Sequence, residues 1–185
     1  MIYVFLATGF EDIEAIAPVD IIRRAGLKVQ TVSITGERIV TSAHGVGIVA
    51  DLLLSEVDYS KAEMLVLPGG LPGSTNLDAC KPLTDAIKRH YEAGGAIAAI
   101  CAAPLVFGHL GLLEGRRATC YPGVDTELKG ATYTAAIVEQ DSKIITGKGP
   151  AAAFEFGYMI VDFFLGEGAS QPLHQGMIYQ ELVEG

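Results

Sequence analysis

Residues 95–108 read Gly-Ala-Ile-Ala-Ala-Ile-Cys-Ala-Ala-Pro-Leu-Val-Phe-Gly. Ala96 to Ile100 is a short apolar run that suits a buried strand. Cys101 follows at once, and Ala102, Ala103 and Pro104 suit the first turn of a helix, where the N–H that proline lacks would be unpaired anyway. A cysteine at such a turn has its sulfur held clear of the backbone, at the positive end of a helix dipole and near free N–H groups. Both effects favour the thiolate, which is the nucleophile. Cysteine is also a small apolar residue that cores bury, and this segment by itself leaves both readings open.

Outward from this elbow the chain alternates strand-like and helix-like segments, the pattern of an α/β fold with a mainly parallel sheet. Strands are expected at residues 2–6, 29–33 and 64–67, and at 118–121. One or two more are expected within 133–146. Helices are expected over about 13–24, 76–92 and 150–165, the last with a stripe of Phe154, Tyr158, Val161 and Leu165, and a final one over 171–183. A hairpin or edge pair suits 38–49, and a short helical turn suits 59–62. Ligands of open α/β sheets bind beyond the carboxyl ends of the strands. That rule brings together the loop Gly9 to Glu14, the turn Pro68-Gly69-Gly70 and the Cys101 elbow.

With 185 residues, one domain is the expectation. Half of the residues are apolar, which is ample for a core, and the net charge is −9. With no basic stripe to meet phosphates, nucleic acid is excluded as a partner. The cysteines Cys80, Cys101 and Cys120 are odd in number and form no CxxC pair, which points to free thiols in a reducing, cytoplasmic setting. No basic residue precedes Arg23, so no secretory signal is read. The span from Gly94 to Leu113 lacks Asp, Glu, Lys and Arg, but Pro104, Gly108, His109 and Gly111 divide it into strand, turn and helix rather than a membrane span.

Glu11, Asp12 and Glu14 open the first helix, where acids complement the dipole. Glu14, flanked by Ile13, Ala15 and Ile16, suits an inward-facing carboxyl that burial keeps protonated. Such a group next to sulfur could serve as general acid or base. Gly69 and Gly70 are either simple turn residues or a bare loop whose N–H groups, with that of Ala102, receive an oxyanion. His44, His90, His109 and His174 lie at no metal-ligand spacing, so no metal is expected. His109 suits a structural role.

Together, Glu11-Asp12-Ile13-Glu14-Ala15, Pro18-Val19-Asp20, Arg23-Arg24-Ala25-Gly26, Leu67-Pro68-Gly69-Gly70, Ala98-Ala99-Ile100-Cys101-Ala102-Ala103-Pro104 and Lys148-Gly149-Pro150 resemble the ThiJ/PfpI superfamily. Within it the chain is similar to the branch of the Parkinson's-associated protein deglycase and its bacterial relatives, from residue 2 to about 165. The resemblance implies a flavodoxin-like three-layer sandwich, usually homodimeric. It implies Cys101 as nucleophile, Glu14 as the protonated carboxyl on its sulfur, and Gly70 and Ala102 as backbone donors. It also implies cofactor-independent conversion of α-oxoaldehydes such as methylglyoxal to hydroxy acids, or deglycation of early adducts on proteins. An oxidative-stress sensor, in which Cys101 becomes a sulfinate, is the alternative.

The chain departs from the family pattern in places. Tyr121 stands where several relatives have histidine, and His44 where many have arginine. A pocket site for anions formed with Arg24, or with the partner copy of it, would then depend on pH. Cys120, beside Tyr121, is either a second thiol near the pocket or a core residue. Ala102 after Cys101 removes the histidine of the peptidase branch.

Overall fold

The computed structural model describes residues 1–184. Its centre is a seven-stranded sheet in the order β10-β11-β7-β6-β1-β2-β5. The strands are β1 (Ile2–Leu6), β2 (Val29–Ser33), β5 (Leu52–Leu53), β6 (Met64–Leu67), β7 (Ala96–Ile100), β10 (Val138–Asp141) and β11 (Ile144–Gly147). All neighbours run parallel except the β10–β11 hairpin. Every residue of β1, β6, β7 and β11 is buried. Both faces are therefore covered, as parallel sheets require, and these strands are apolar runs rather than alternating ones.

α1 (Asp12–Arg24) and α5 (Ala153–Leu165) pack against each other, while α2 (Gly73–Ala79) contacts α3 (Lys81–Glu92) and α4 (Pro104–His109). The result is the expected flavodoxin-like sandwich. β3 (Ile39–Thr41) and β4 (Gly47–Val49) form the expected hairpin, as a separate antiparallel pair. The chain adds β2 and β5 on one side of β1 and then returns to place β6 on the other. The loops after β1 and β6 thus flank the point where the winding reverses, where doubly wound folds bind ligands.

Several boundaries differ from the sequence expectation, each for a local reason. The single helix expected over 76–92 is two, because Pro82 cannot donate to the carbonyl four residues back and sits in the first turn of α3 instead. The strand expected at 118–121 shrinks to β8 (Arg117–Ala118), which pairs with β9 (Thr132–Tyr133) outside the main sheet. Beyond it, Thr119 N–H goes to Thr146 Oγ1 and Tyr121 N–H to the Cys101 carbonyl. The last helix splits into α6 (Gln171–Gly176) and α7 (Tyr179–Glu184), with Ile178 between them at φ 58°. The helical stripe is only partly buried: Tyr158 and Val161 are in the core, whereas Leu165 is 51% exposed. No helix among the described residues is long and apolar enough to cross a membrane.

The α1–α5 contact depends on Gly157. A Cβ there would lie 2.9 Å from Ile21 Cδ1 and 3.2 Å from Pro18 Cα. Gly157→Val is expected to destabilise the protein by about 1–3 kcal/mol through overpacking. Gly176→Ala, where a Cβ would meet nothing within 4 Å among the described residues, should be neutral or stabilising by less than about 1 kcal/mol. Urea titration of both variants checks the contrast.

Candidate active site around Cys101

The site begins with the way α1 is capped. Glu11 is the N-cap, and its Oε2 accepts the Glu14 N–H at 2.8 Å. Helical spacing then places Glu14 on the stripe that continues through Pro18 and Ile22, the face turned to the core. Glu14 is 1% exposed. Its Oε2 accepts the Gly69 N–H at 2.9 Å, and its Oε1 is buried with no hydrogen-bond partner among the described residues. The side chain that interacts with this carboxyl is the Cys101 thiol.

Cys101 occupies the elbow between β7 and α4 with φ 64°, in the left-handed region that side chains avoid. Its backbone is held on both sides. Its N–H donates to the Gly147 carbonyl at 2.9 Å, and its carbonyl accepts the Tyr121 N–H at 2.8 Å. A non-glycine residue kept in this region costs about 1–3 kcal/mol, which such surrounding bonds must offset. Gly69 lets the loop after β6 approach: a Cβ on it would collide with Glu14 Oε2 and come within 2.6 Å of Cys101 Cβ.

Burial and the neighbouring Glu11 push the Glu14 carboxyl up to about 7, against the downward pull of the Cys101 thiol and the Gly69 N–H. For Cys101 the sequence expectation of a thiolate at neutral pH is corrected. Burial, with the Glu14 carboxylate beside it, pushes the thiol up to about 12, and the N–H groups of Gly70 and Ala102 only partly oppose this. α4 has only six residues, so its dipole is too small to outweigh desolvation. These surroundings favour the protonated form of the sulfur, with the Glu14 carboxyl beside it.

The other expected site residues divide into near and far. Gly70 and Ala102 direct N–H groups at the sulfur. The Gly69 N–H does not serve as an oxyanion donor, because Glu14 already occupies it. Tyr121 is half exposed, and with Lys148, Gly149 and Pro150 it lines a cavity of about 230 Å³. Cys120 is fully buried, and burial and Asp125 push its thiol up to about 12. It fits the core reading. Arg24 is not brought to the pocket within this chain. It lies ten residues beyond Glu14 on α1, about 15 Å along the helix axis, and pairs with Asp20 at 2.7 Å.

His44 is exposed and pairs with Asp12 Oδ2 at 2.7 Å, which raises its pKa. Glu11, Asp12 and His44 bring one ligand atom each within 4.8 Å of one another, a cluster that sequence spacing could not reveal. Its atoms already have partners, since Asp12 also accepts from Ser42 and Glu11 from Glu14. Sequence reasoning missed the Gly147 carbonyl that anchors Cys101, a main-chain contact no side-chain pattern announces.

Gly69→Ala is expected to cost about 1–3 kcal/mol and to slow alkylation of Cys101 by displacing it from Glu14. Denaturant melts and thiol labelling read the two effects. A carboxyl raised in the folded state loses stability as pH climbs from its ordinary value of 4.5 through about 7, because folding must keep a proton that the unfolded chain releases. Glu14→Gln removes this penalty while its amide oxygen can still accept from Gly69. Its stability relative to the parent should rise by roughly 3 kcal/mol across that window, as melts at several pH values would show.

The chain matches the DJ-1/PfpI family over residues 1–162. It is 35% identical to Protein dj-1beta of Drosophila melanogaster over 95% of each chain. It is 35% identical to the glutathione-independent glyoxalase DJR-1.2 of Caenorhabditis elegans over 82% of this chain and 81% of that one. Against Protein DJ-1 homologs B and A of Arabidopsis thaliana, identity is 43% and 40%, and the chain spans only 37% and 42% of their lengths. Among solved structures, a cysteine-to-alanine mutant of a DJ-1 superfamily protein from Salmonella typhimurium superposes with a TM-score of 0.90 at 35% identity, covering 96% of this chain and 97% of that one. The sequence resemblance, the sheet order and these matches agree, and the chain belongs to the DJ-1/PfpI family.

Proposed function

We propose that this chain converts small α-oxoaldehydes such as methylglyoxal to hydroxy acids through Cys101, without a cofactor. The observation that carries this reading is the Cys101 thiol enclosed with a Glu14 carboxyl that is held near neutrality. The glyoxalase name of the Caenorhabditis relative supports the reaction class.

In this reading Glu14 takes the thiol proton as sulfur adds to the aldehyde carbon. The N–H groups of Gly70 and Ala102 receive the developing oxyanion, which Glu14 then protonates to give a hemithioacetal. Glu14 next removes the proton from that carbon, and the adjacent carbonyl carbon gains one through an enediol. The resulting thioester is hydrolysed by water, which frees the hydroxy acid and restores the thiol. Hydrogen moves from one carbon to its neighbour, so the rearrangement needs no external oxidant or reductant. An early glycation adduct on a protein presents the same pair of oxygenated carbons and is a second substrate class for the same machinery.

An oxidation sensor is the second reading. The unpartnered Glu14 Oε1 favours it, since a protonated carboxyl there would donate to a sulfinate oxygen. Two further expectations join the proposal. A second copy of the chain covers the apolar surface of Ile13, Ile16, Val46 and Val49, which are 38–69% exposed on α1 and the β3–β4 hairpin. The free thiols of Cys80, Cys101 and Cys120 suit a cytoplasmic setting.

Lactate formed from methylglyoxal tests the enzyme. Cys101→Ser and Glu14→Gln are each expected to lower kcat/KM by at least about 100-fold. Because Glu14 must accept a proton, kcat/KM of the parent should climb as pH rises through about 7. Lactate production equal in Cys101→Ser and parent would overturn the reading. Glu14→Gln that loses turnover yet still gains oxygen at Cys101 under mild peroxide separates the enzyme from the sensor.

A further inference from the structure

Three of the segments around Cys101 each run into a short element, and one imidazole joins these three elements. The Gly69-Gly70 turn leads into α2, which carries Asp78; Cys101 leads into α4, which ends at His109; Tyr121 leads into the 3-10 turn Asp125–Glu127. His109 Nδ1 lies 2.9 Å from Asp78 Oδ2, and its Nε2 lies 3.0 Å from Glu127 Oε2. A carboxylate can only accept, and a neutral imidazole has a single N–H. Both contacts are hydrogen bonds only when the ring is an imidazolium.

The backbone is shaped to allow this. Gly108, the residue before His109, lies so close to the turn that a Cβ on it would collide with the Glu127 carbonyl oxygen. The glycine lets α4 press against the turn and brings the ring between its acids. The groups that face the ring are Asp78 from α2, and Glu127 and Lys129 from the turn and its exit. β7, the other element packed on α4, consists only of Ala and Ile.

We infer that His109 is a positioning residue, a protonated clasp that ties α2, α4 and the 125–127 turn together and so holds Gly70, Cys101 and Tyr121 in mutual register. This rests on Cys101 being the reacting group, as proposed above. The electrostatics agree in sign. Hydrogen bonding to Glu127 and Asp78 raises the His109 pKa above its ordinary 6.5, while Glu127 is lowered by the same contact. The clasp is therefore complete just below pH 6.5. It is lost as pH rises through the raised value of His109 or falls through the lowered value of Glu127. Deprotonation removes one of the two hydrogen bonds and frees either α2 or the turn.

The test combines proton NMR titration of the histidine rings with the rate of Cys101 alkylation by iodoacetamide, from about pH 5 to about pH 8. In the parent, His109 should titrate above 6.5, and the alkylation profile should carry an inflection at that same pH. Glu14 titrates nearby, so the inflection is assigned by its movement. Glu127→Gln should lower the His109 midpoint and carry the inflection down with it. His109→Gln should remove that inflection and slow alkylation near pH 6 by about threefold. A His109 midpoint at or below 6.5 overturns the clasp, and so does an inflection that stays in place in Glu127→Gln. If His109→Gln fails to fold, the Glu127→Gln pair of readouts still decides. Absence of dicarbonyl turnover would sink the proposed reaction yet leave these thiol readouts intact.

Discussion

A carboxyl group shut away from water beside a thiol is the constraint on which the other site features depend. Glu14 reaches Cys101 only because Glu11 caps the helix one turn earlier and because Gly69 has no side chain to stand between them. Burial sets the chemistry as well as the geometry. An isolated buried carboxylate is costly, so this group retains its proton to about pH 7. It is then a base that works near neutrality. In the proposed reaction, the desolvation that weakens the thiol as an acid calls for a neighbouring proton acceptor.

The pair also changes how the elbow works. The sequence expectation is a thiolate favoured by the helix dipole and amide groups, with a protonated Glu14 on the sulfur. The short α4 and the apolar surroundings leave that effect too weak, and the two amides that do reach the sulfur reduce the penalty without reversing it. The strained φ of Cys101 contributes placement rather than acidity, since it turns the side chain toward the loops after β1 and β6.

Much of this was legible in the sequence where local chemistry decides structure. β1, β6 and β7 stand at the residues expected because each is a short apolar run, and β2 because its β-branched Val29, Thr31 and Val32 favour extended backbone. Glu14 could be placed inward because apolar neighbours flank it. What escaped depends on partners distant in sequence. The bond from Cys101 to Gly147 joins the ends of two adjacent strands far apart in the chain, and the ring of His109 meets acids from two other elements. β5 is only two residues long and exists because β2 offers it an edge. The break at Cys80 was readable from Pro82, whereas the break at Ile178 has no comparable signal.

The two margins of the main sheet differ in how they are closed. On one side β5 stops after two residues. On the other, Asp141 of β10 accepts from the Arg117 N–H and from the Arg116 side chain, and Glu139 meets Arg117. One margin is too brief to template another strand, and the other is fenced by fixed charges. Assembly by strand addition, the route to runaway fibrous growth, is disfavoured at both ends. A contact between two copies, as proposed above, would then fall to helix and hairpin surfaces, where it can close on itself.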